Sequence, residues 1–198
     1  MQFKAYDYVS AMKILKKGYD IKFESLNNPV MLIVAGPNAS GKSTYIANLY
    51  KQGLIKIPYI NADIINQFEL KDIEDETERN LKGMQIAMQR VENAIDNKQS
   101  FVYETVLSHP SKLELVKFAK GNGFDIYSIF VYTSNPKINL NRLKKRVEKG
   151  GHDVPAEKVV NRYYRSISYK NDLKELSDTF LEFDNSEEKD NIEENENS

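Results

Sequence analysis

The chain has 198 residues, 40% of them hydrophobic and 29% charged, enough for one well-buried globular domain and short for two. It has no cysteine, which excludes disulfides and thiolate metal sites and fits a reducing, cytoplasmic setting. No apolar run approaches the ~20 residues of a membrane span, and the N-terminus MQFKAYDYVSAMK lacks the basic-then-apolar pattern of a signal peptide, so no membrane association is expected.

The net charge of −1 is unevenly spread. Residues 187–198 hold six acids and one lysine, a net of −5, which leaves the rest of the chain at +4. That tail has one aliphatic residue, Ile192, and no aromatic, so it is expected to be disordered. The mild positive balance of the body suits a phosphorylated ligand and argues against duplex nucleic acid, which calls for a pronounced basic stripe.

In chain order, a helix is expected over 6–17. Pro29 then leads into VMLIVA (Val30–Ala35), a continuous apolar run of the kind buried on both faces of a sheet. A glycine-rich loop follows, and Lys42–Lys51 reads as the helix it opens. A second strand is expected over 57–60. Leu81, Met84, Met88, Val91 and Ile95 recur at three- and four-residue spacing and predict a long helix over 74–97. SFVYE over 100–104 reads as the third strand. Residues 111–120 read as a helix stopped by Gly121, Asn122 and Gly123, and IYSIFVY over 126–132 as the fourth strand. Helices over 138–149 and 156–176 flank Gly150 and Gly151, and a last strand is expected over 179–183. Strands alternating with longer helices predict an α/β fold with a parallel sheet.

The loop Gly36-Pro37-Asn38-Ala39-Ser40-Gly41-Lys42-Ser43 matches G-x-x-x-x-G-K-[ST] without departure, between the strand and helix this motif requires. Glycine lets the backbone bend tightly and bring several N–H groups onto one anion, and the helix start adds its positive dipole end. Gly36 to Ser43, with Thr44 after them, are therefore the expected nucleotide-binding residues. Lys42 is expected on the β- and γ-phosphates, and the Ser43 hydroxyl on Mg²⁺.

Two acids follow strands at the same edge. Asp63, in Asn61-Ala62-Asp63, can take a proton from an attacking hydroxyl; it can equally cap a helix beginning at Ile64. Glu104 can hold Mg²⁺ or its water, can orient substrate, or can simply face solvent. Arg142 and Arg146 share one helix face, and Arg162 and Arg165 share another. Guanidinium suits a migrating phosphoryl group, so the glycine pair between these helices reads as the hinge of a lid. Surface salt bridges are the bland alternative for these arginines. His152 is expected to order the lid turn and His109, before Pro110, to mark a loop; core packing is the expectation for Tyr163 and Tyr164.

GPNASGKST after VMLIVA, the N-A-D after the second strand, FVYETVLS, and RVEKGGHDVPAEKVVNRYYRS together resemble the zeta toxin family of P-loop kinases. The resemblance covers most of 30–185. It implies a P-loop NTPase three-layer sandwich with a five-stranded parallel sheet in the order 2-3-1-4-5 and a helical lid. It further implies a kinase domain over 29–186, preceded by a helical extension over 1–28 and followed by the acidic tail over 187–198. Characterised zeta toxins phosphorylate UDP-N-acetylglucosamine using ATP and are restrained by a small antitoxin. Matched position by position, Lys42 and Ser43 fall on the phosphate loop, Asp63 on the catalytic aspartate and Glu104 on the strand-end glutamate. One arginine of each pair falls on the lid arginines. The implied activity is transfer of phosphate from ATP or GTP, with Mg²⁺, to a hydroxyl on a small molecule. A nucleotide-binding regulatory NTPase without an acceptor is the other reading; an ABC transporter ATPase is disfavoured, because no L-S-G-G-Q-like signature and no strand ending in Asp-Glu is present.

Overall fold

In the computed structural model, which describes residues 2–3, 28–148 and 154–187, six parallel strands form one sheet. They are β1 (Gln2–Phe3), β2 (Val30–Ala35), β3 (Tyr59–Ile60), β4 (Phe101–Thr105), β5 (Asp125–Tyr132) and β6 (Thr179–Asp184), in the order β1-β6-β5-β2-β4-β3. Counted from β2, the five longer-range strands follow 2-3-1-4-5, as expected, and β1 adds a sixth outside β6. Seven helices are described: α1 (Lys42–Lys51), α2 (Ala62–Phe68), α3 (Glu76–Asp96), α4 (Ser111–Gly121), α5 (Pro136–Glu148), α6 (Ala156–Ser168) and α7 (Lys170–Leu176). The expected helix over 6–17, the Gly150–Gly151 hinge with His152, and residues 188–198 lie outside the described residues.

Every residue of β2 is buried, because β4 and β5 take up its backbone on both sides while helices cover both faces. One face carries Met31, Ile33, Phe101, Ile126 and Phe130 against Val91 and Ile95 of α3, Leu113 and Val116 of α4, and Leu173 of α7. The other carries Leu32, Val34, Val102, Ile129 and Val131 against Tyr45, Ile46 and Leu49 of α1. These are the three layers of the sandwich.

Three elements differ from their sequence reading. The second strand begins at Tyr59 rather than residue 57, because the Ile57 carbonyl accepts the Tyr50 hydroxyl (2.5 Å) and the first carbonyl to meet β4 is that of Pro58, from Val102 N–H at 2.8 Å. The helix expected over 156–176 is two helices meeting at Tyr169, whose N–H bonds to the Arg165 carbonyl while its own carbonyl accepts from Leu173. On α3 the periodic apolar stripe is real, but only its second half is covered.

That half-coverage follows from length. Twenty-one residues make a helix about 32 Å long, whereas a five-residue strand such as β4 spans about 17 Å. Because α3 runs back along the sheet into β4, its N-terminal half projects beyond the carboxyl edge. Val91 and Ile95 are fully buried, but Leu81 is 57% and Met84 60% exposed. Ile95→Ala should therefore cost about 2–5 kcal/mol, and Leu81→Ala, on the same face, no more than about 0.5 kcal/mol. Equal urea midpoints for the two variants would contradict this placement of the helix.

Candidate functional site

The strand order reverses about β2, so a crevice opens at its carboxyl end, between the ends of β4 and β5. The phosphate loop fills that position. Gly36 leaves β2 at φ 143°, its N–H donating to the Thr105 carbonyl at the end of β4 (3.2 Å). A side chain there would put Cβ 1.8 Å from the Val131 carbonyl oxygen, so only glycine fits between the strands. Gly41 stands immediately before α1 at φ 101°, and the first N–H groups of α1 have no partner within their own helix. Ser40 Oγ and Asn38 Oδ1 are buried in the loop without a protein partner among the described residues. Unmatched polar atoms, free amides and a helix N-terminus together fit a polyphosphate.

Lys42 is buried, its ammonium donating to the Pro37 carbonyl at 2.9 Å and standing 3.9 Å from Glu104 Oε1. Burial, above all, pushes its pKa down; the Glu104 and Asp63 carboxylates pull it back up, and the Arg146 guanidinium adds to the lowering. Ser43 Oγ donates to both Glu104 oxygens at 3.0 Å. A hydroxyl and a carboxylate, both hard oxygen donors beside a phosphate cradle, fit Mg²⁺, which keeps waters and phosphate oxygens for its remaining positions.

Asp63 lies in the first turn of α2 and is exposed. It is not the helix cap. Asn61 is, its Oδ1 accepting from the N–H of Asp63 (2.7 Å) and of Ile64 (3.3 Å). The Asp63 carboxylate therefore has no capping bond to make. α2 is seated closely on α3 at Gly83, where a Cβ would come within 1.8 Å of Asn66 Oδ1 and 3.2 Å of the Ala62 carbonyl, and Asn66 Nδ2 donates to Asn80 (2.8 Å).

Of the four arginines, Arg146 on α5 acts electrostatically on Lys42, and Arg142 donates to the Glu187 carbonyl at 3.2 Å. Arg162 is half-buried and Arg165 exposed on α6, and no described contact joins either to the loop. Tyr163 is buried, with its ring against the exposed Tyr164, and His109 accepts the Ser111 N–H at the start of α4.

Sequence reasoning missed two residues that hold the loop from behind. Asn139 of α5, fully buried, donates to the Asn38 carbonyl (2.6 Å) and accepts from the Thr133 hydroxyl (2.5 Å). The Thr133 carbonyl accepts the Tyr163 hydroxyl (2.6 Å), so α5 and α6 are both tied to the end of β5. Asn185, just past β6, donates its amide to the Ser40 carbonyl (2.8 Å) and its N–H to the Tyr132 carbonyl (2.8 Å). Asn185 could be suspected from its place after a strand; nothing in the local sequence marks Asn139.

A parallel α/β sheet with this loop at its switch point defines a nucleotide-binding phosphotransferase of the P-loop class. The profile of the Zeta toxin family matches residues 16–197, and the chain belongs to that family. It is 31% identical over 137 residues to an uncharacterized protein of Haemophilus influenzae, covering 67% of this chain and 91% of that one. Among solved structures it resembles the PezAT chromosomal toxin-antitoxin system of Streptococcus pneumoniae, at TM-score 0.62 and 13% identity over 92% of this chain and 78% of the other. It also resembles the AvrRxo1-ORF1:ORF2 complex with ATP, at TM-score 0.58 and 16% identity over 75% of this chain and 50% of that one.

Gly36→Ala should lower stability by about 1–3 kcal/mol through backbone strain alone. That corresponds to a melting point lower by roughly 2–4 °C per kcal/mol, and ATP binding should be lost with it. An unshifted melting curve with unchanged ATP calorimetry would show that the loop does not press on β5 as described.

Proposed function

We propose that the protein transfers the γ-phosphoryl group of ATP or GTP to a hydroxyl of a small molecule. The observation carrying this reading is the grouping of buried Lys42, the Ser43–Glu104 pair and the uncapped Asp63 around one phosphate cradle. The acceptor oxygen attacks the γ-phosphorus, the bond to the β–γ bridging oxygen breaks, and the nucleoside diphosphate leaves. The hydroxyl proton passes to the Asp63 carboxylate. Lys42 and the loop amides hold the β- and γ-phosphates in line, which lowers the barrier mainly by positioning and charge neutralisation. Bound Mg²⁺ supplies further neutralisation of the phosphate oxygens, and Ser43 and Glu104 are the residues that would hold it.

Arg146 and Arg142 are the first candidates for the cations over the transferred group, with Arg162 and Arg165 in reserve on α6. The resemblance of its motifs to characterised zeta toxins points to a sugar nucleotide of the UDP-N-acetylglucosamine type as acceptor, and the family match with the likeness to the PezAT toxin-antitoxin system supports an antitoxin as partner. In this reading residues 29–186 are the kinase body, 1–28 its extension and 187–198 an acidic tail, and the protein works in the cytoplasm.

Asp63→Asn should leave ATP affinity nearly intact and slow transfer about 10²–10⁴-fold. The measurement is γ-labelled ATP incubated with UDP-N-acetylglucosamine and with a metabolite extract, the labelled product being identified by mass spectrometry. Full transfer by the variant would remove Asp63 as the base. Release of inorganic phosphate alone by the parent, with every acceptor, would replace the kinase reading by a nucleotide hydrolase.

A further inference from the structure

Glu104 is held by more groups than a solvent-facing strand end needs. Its Oε2 accepts from the Tyr59 hydroxyl and from Asn61 Nδ2 (3.1 Å), and Asn61 Nδ2 also bonds to the Tyr59 oxygen (2.7 Å). Ser43 Oγ meets both oxygens at 3.0 Å, and Oε1 faces the Lys42 ammonium at 3.9 Å. The two oxygens share Ser43 but are otherwise differentiated: Oε2 takes the donors of β3 and the cap of α2, and Oε1 faces Lys42.

The register of β3 makes this arrangement. Tyr59 is paired with Val102, and Glu104 lies two residues further along the same face of β4. An aromatic side chain can span that diagonal. The Tyr59 ring is steadied by Tyr50 of α1, at 6.4 Å between centroids. The Asn61 amide is oriented by chemistry: its Oδ1 must accept the N–H groups of Asp63 and Ile64, which turns Nδ2 toward Glu104.

We infer that Tyr59 and Asn61 are positioning residues that clamp Oε2 of Glu104, presenting Oε1 to the metal of the bound nucleotide and locking that carboxylate to the first turn of α2, which carries Asp63. Asn61 is the joint, because one side-chain end holds the metal-side carboxylate and the other holds the helix that bears the base. Carboxylates that bind metals are commonly oriented by such outer hydrogen bonds, and losing one typically costs 10- to 100-fold in metal affinity or activity. This inference rests on the reading of Glu104 as a metal-side residue.

Two substitutions separate the clamp from the fold. Tyr59→Phe keeps the ring and removes the hydroxyl donor. Asn61→Ser keeps a good helix cap but withdraws the donor from Glu104. ATP binding is measured by calorimetry across a Mg²⁺ titration and again in EDTA, with Glu104→Gln as the reference and melting curves recorded for each protein. Both variants should keep the parent's ATP affinity in EDTA, and the Mg²⁺ concentration for half-maximal enhancement of binding should rise about tenfold or more. If Glu104→Gln loses the Mg²⁺ enhancement while both variants titrate like the parent, the clamp is wrong and the metal-side reading stands. If Glu104→Gln itself titrates like the parent, that reading falls and the clamp falls with it. Should one variant melt early, the other decides.

Discussion

The arrangement depends on a bend between a buried strand and a helix, made at a place where a side chain has no room. Gly36 turns the chain out of β2 against the Val131 carbonyl, and the chain re-enters a helix at Lys42 with its amides directed into the crevice. An anion cradle of this kind works only if the backbone is held still, since free amides that could rotate away would give up their advantage over water. The sheet supplies the stillness. β2 is paired on both edges and buried on both faces, so the loop starts from a segment with no free edge or face.

Rigidity at the loop is completed by contacts from three other elements. Asn139 reaches in from α5, Asn185 from the end of β6, and the Thr105 carbonyl receives the Gly36 N–H from the end of β4. The same Asn139–Thr133–Tyr163 chain ties the arginine-bearing helices to the back of the cradle. The charge on that side is therefore placed by buried, fully used amide and hydroxyl groups rather than by exposed ion pairs, whose net contribution is small.

The acidic side is organised differently. Glu104 lies near the end of β4 and Asp63 in the first turn of α2, and Asn61 joins them by donating to the Glu104 carboxylate and accepting the Asp63 backbone N–H. The overhanging half of α3 seats α2 at Gly83, while Leu81 and Met84 stay exposed beyond a sheet too short to cover them.

The phosphate loop, the strand before it and the helix after it were legible in the sequence, because their chemistry is local: glycine at forbidden angles, lysine and serine at fixed offsets, and an apolar run with no polar face. Asp63, Glu104 and the periodic stripe of α3 were legible by position alone, since a strand end and a helical period are local properties too. What the stripe covers was not, because that depends on the length of the sheet it packs against, which the helix's own sequence does not record. Asn61 as the cap in place of Asp63, the Tyr59 reach to Glu104, and the Asn139 and Asn185 contacts on the loop were decided only by tertiary structure. Each joins residues brought together by strand register or by crossover connections, and an asparagine or tyrosine carries no mark in its own neighbourhood of which distant carbonyl or carboxylate it will meet.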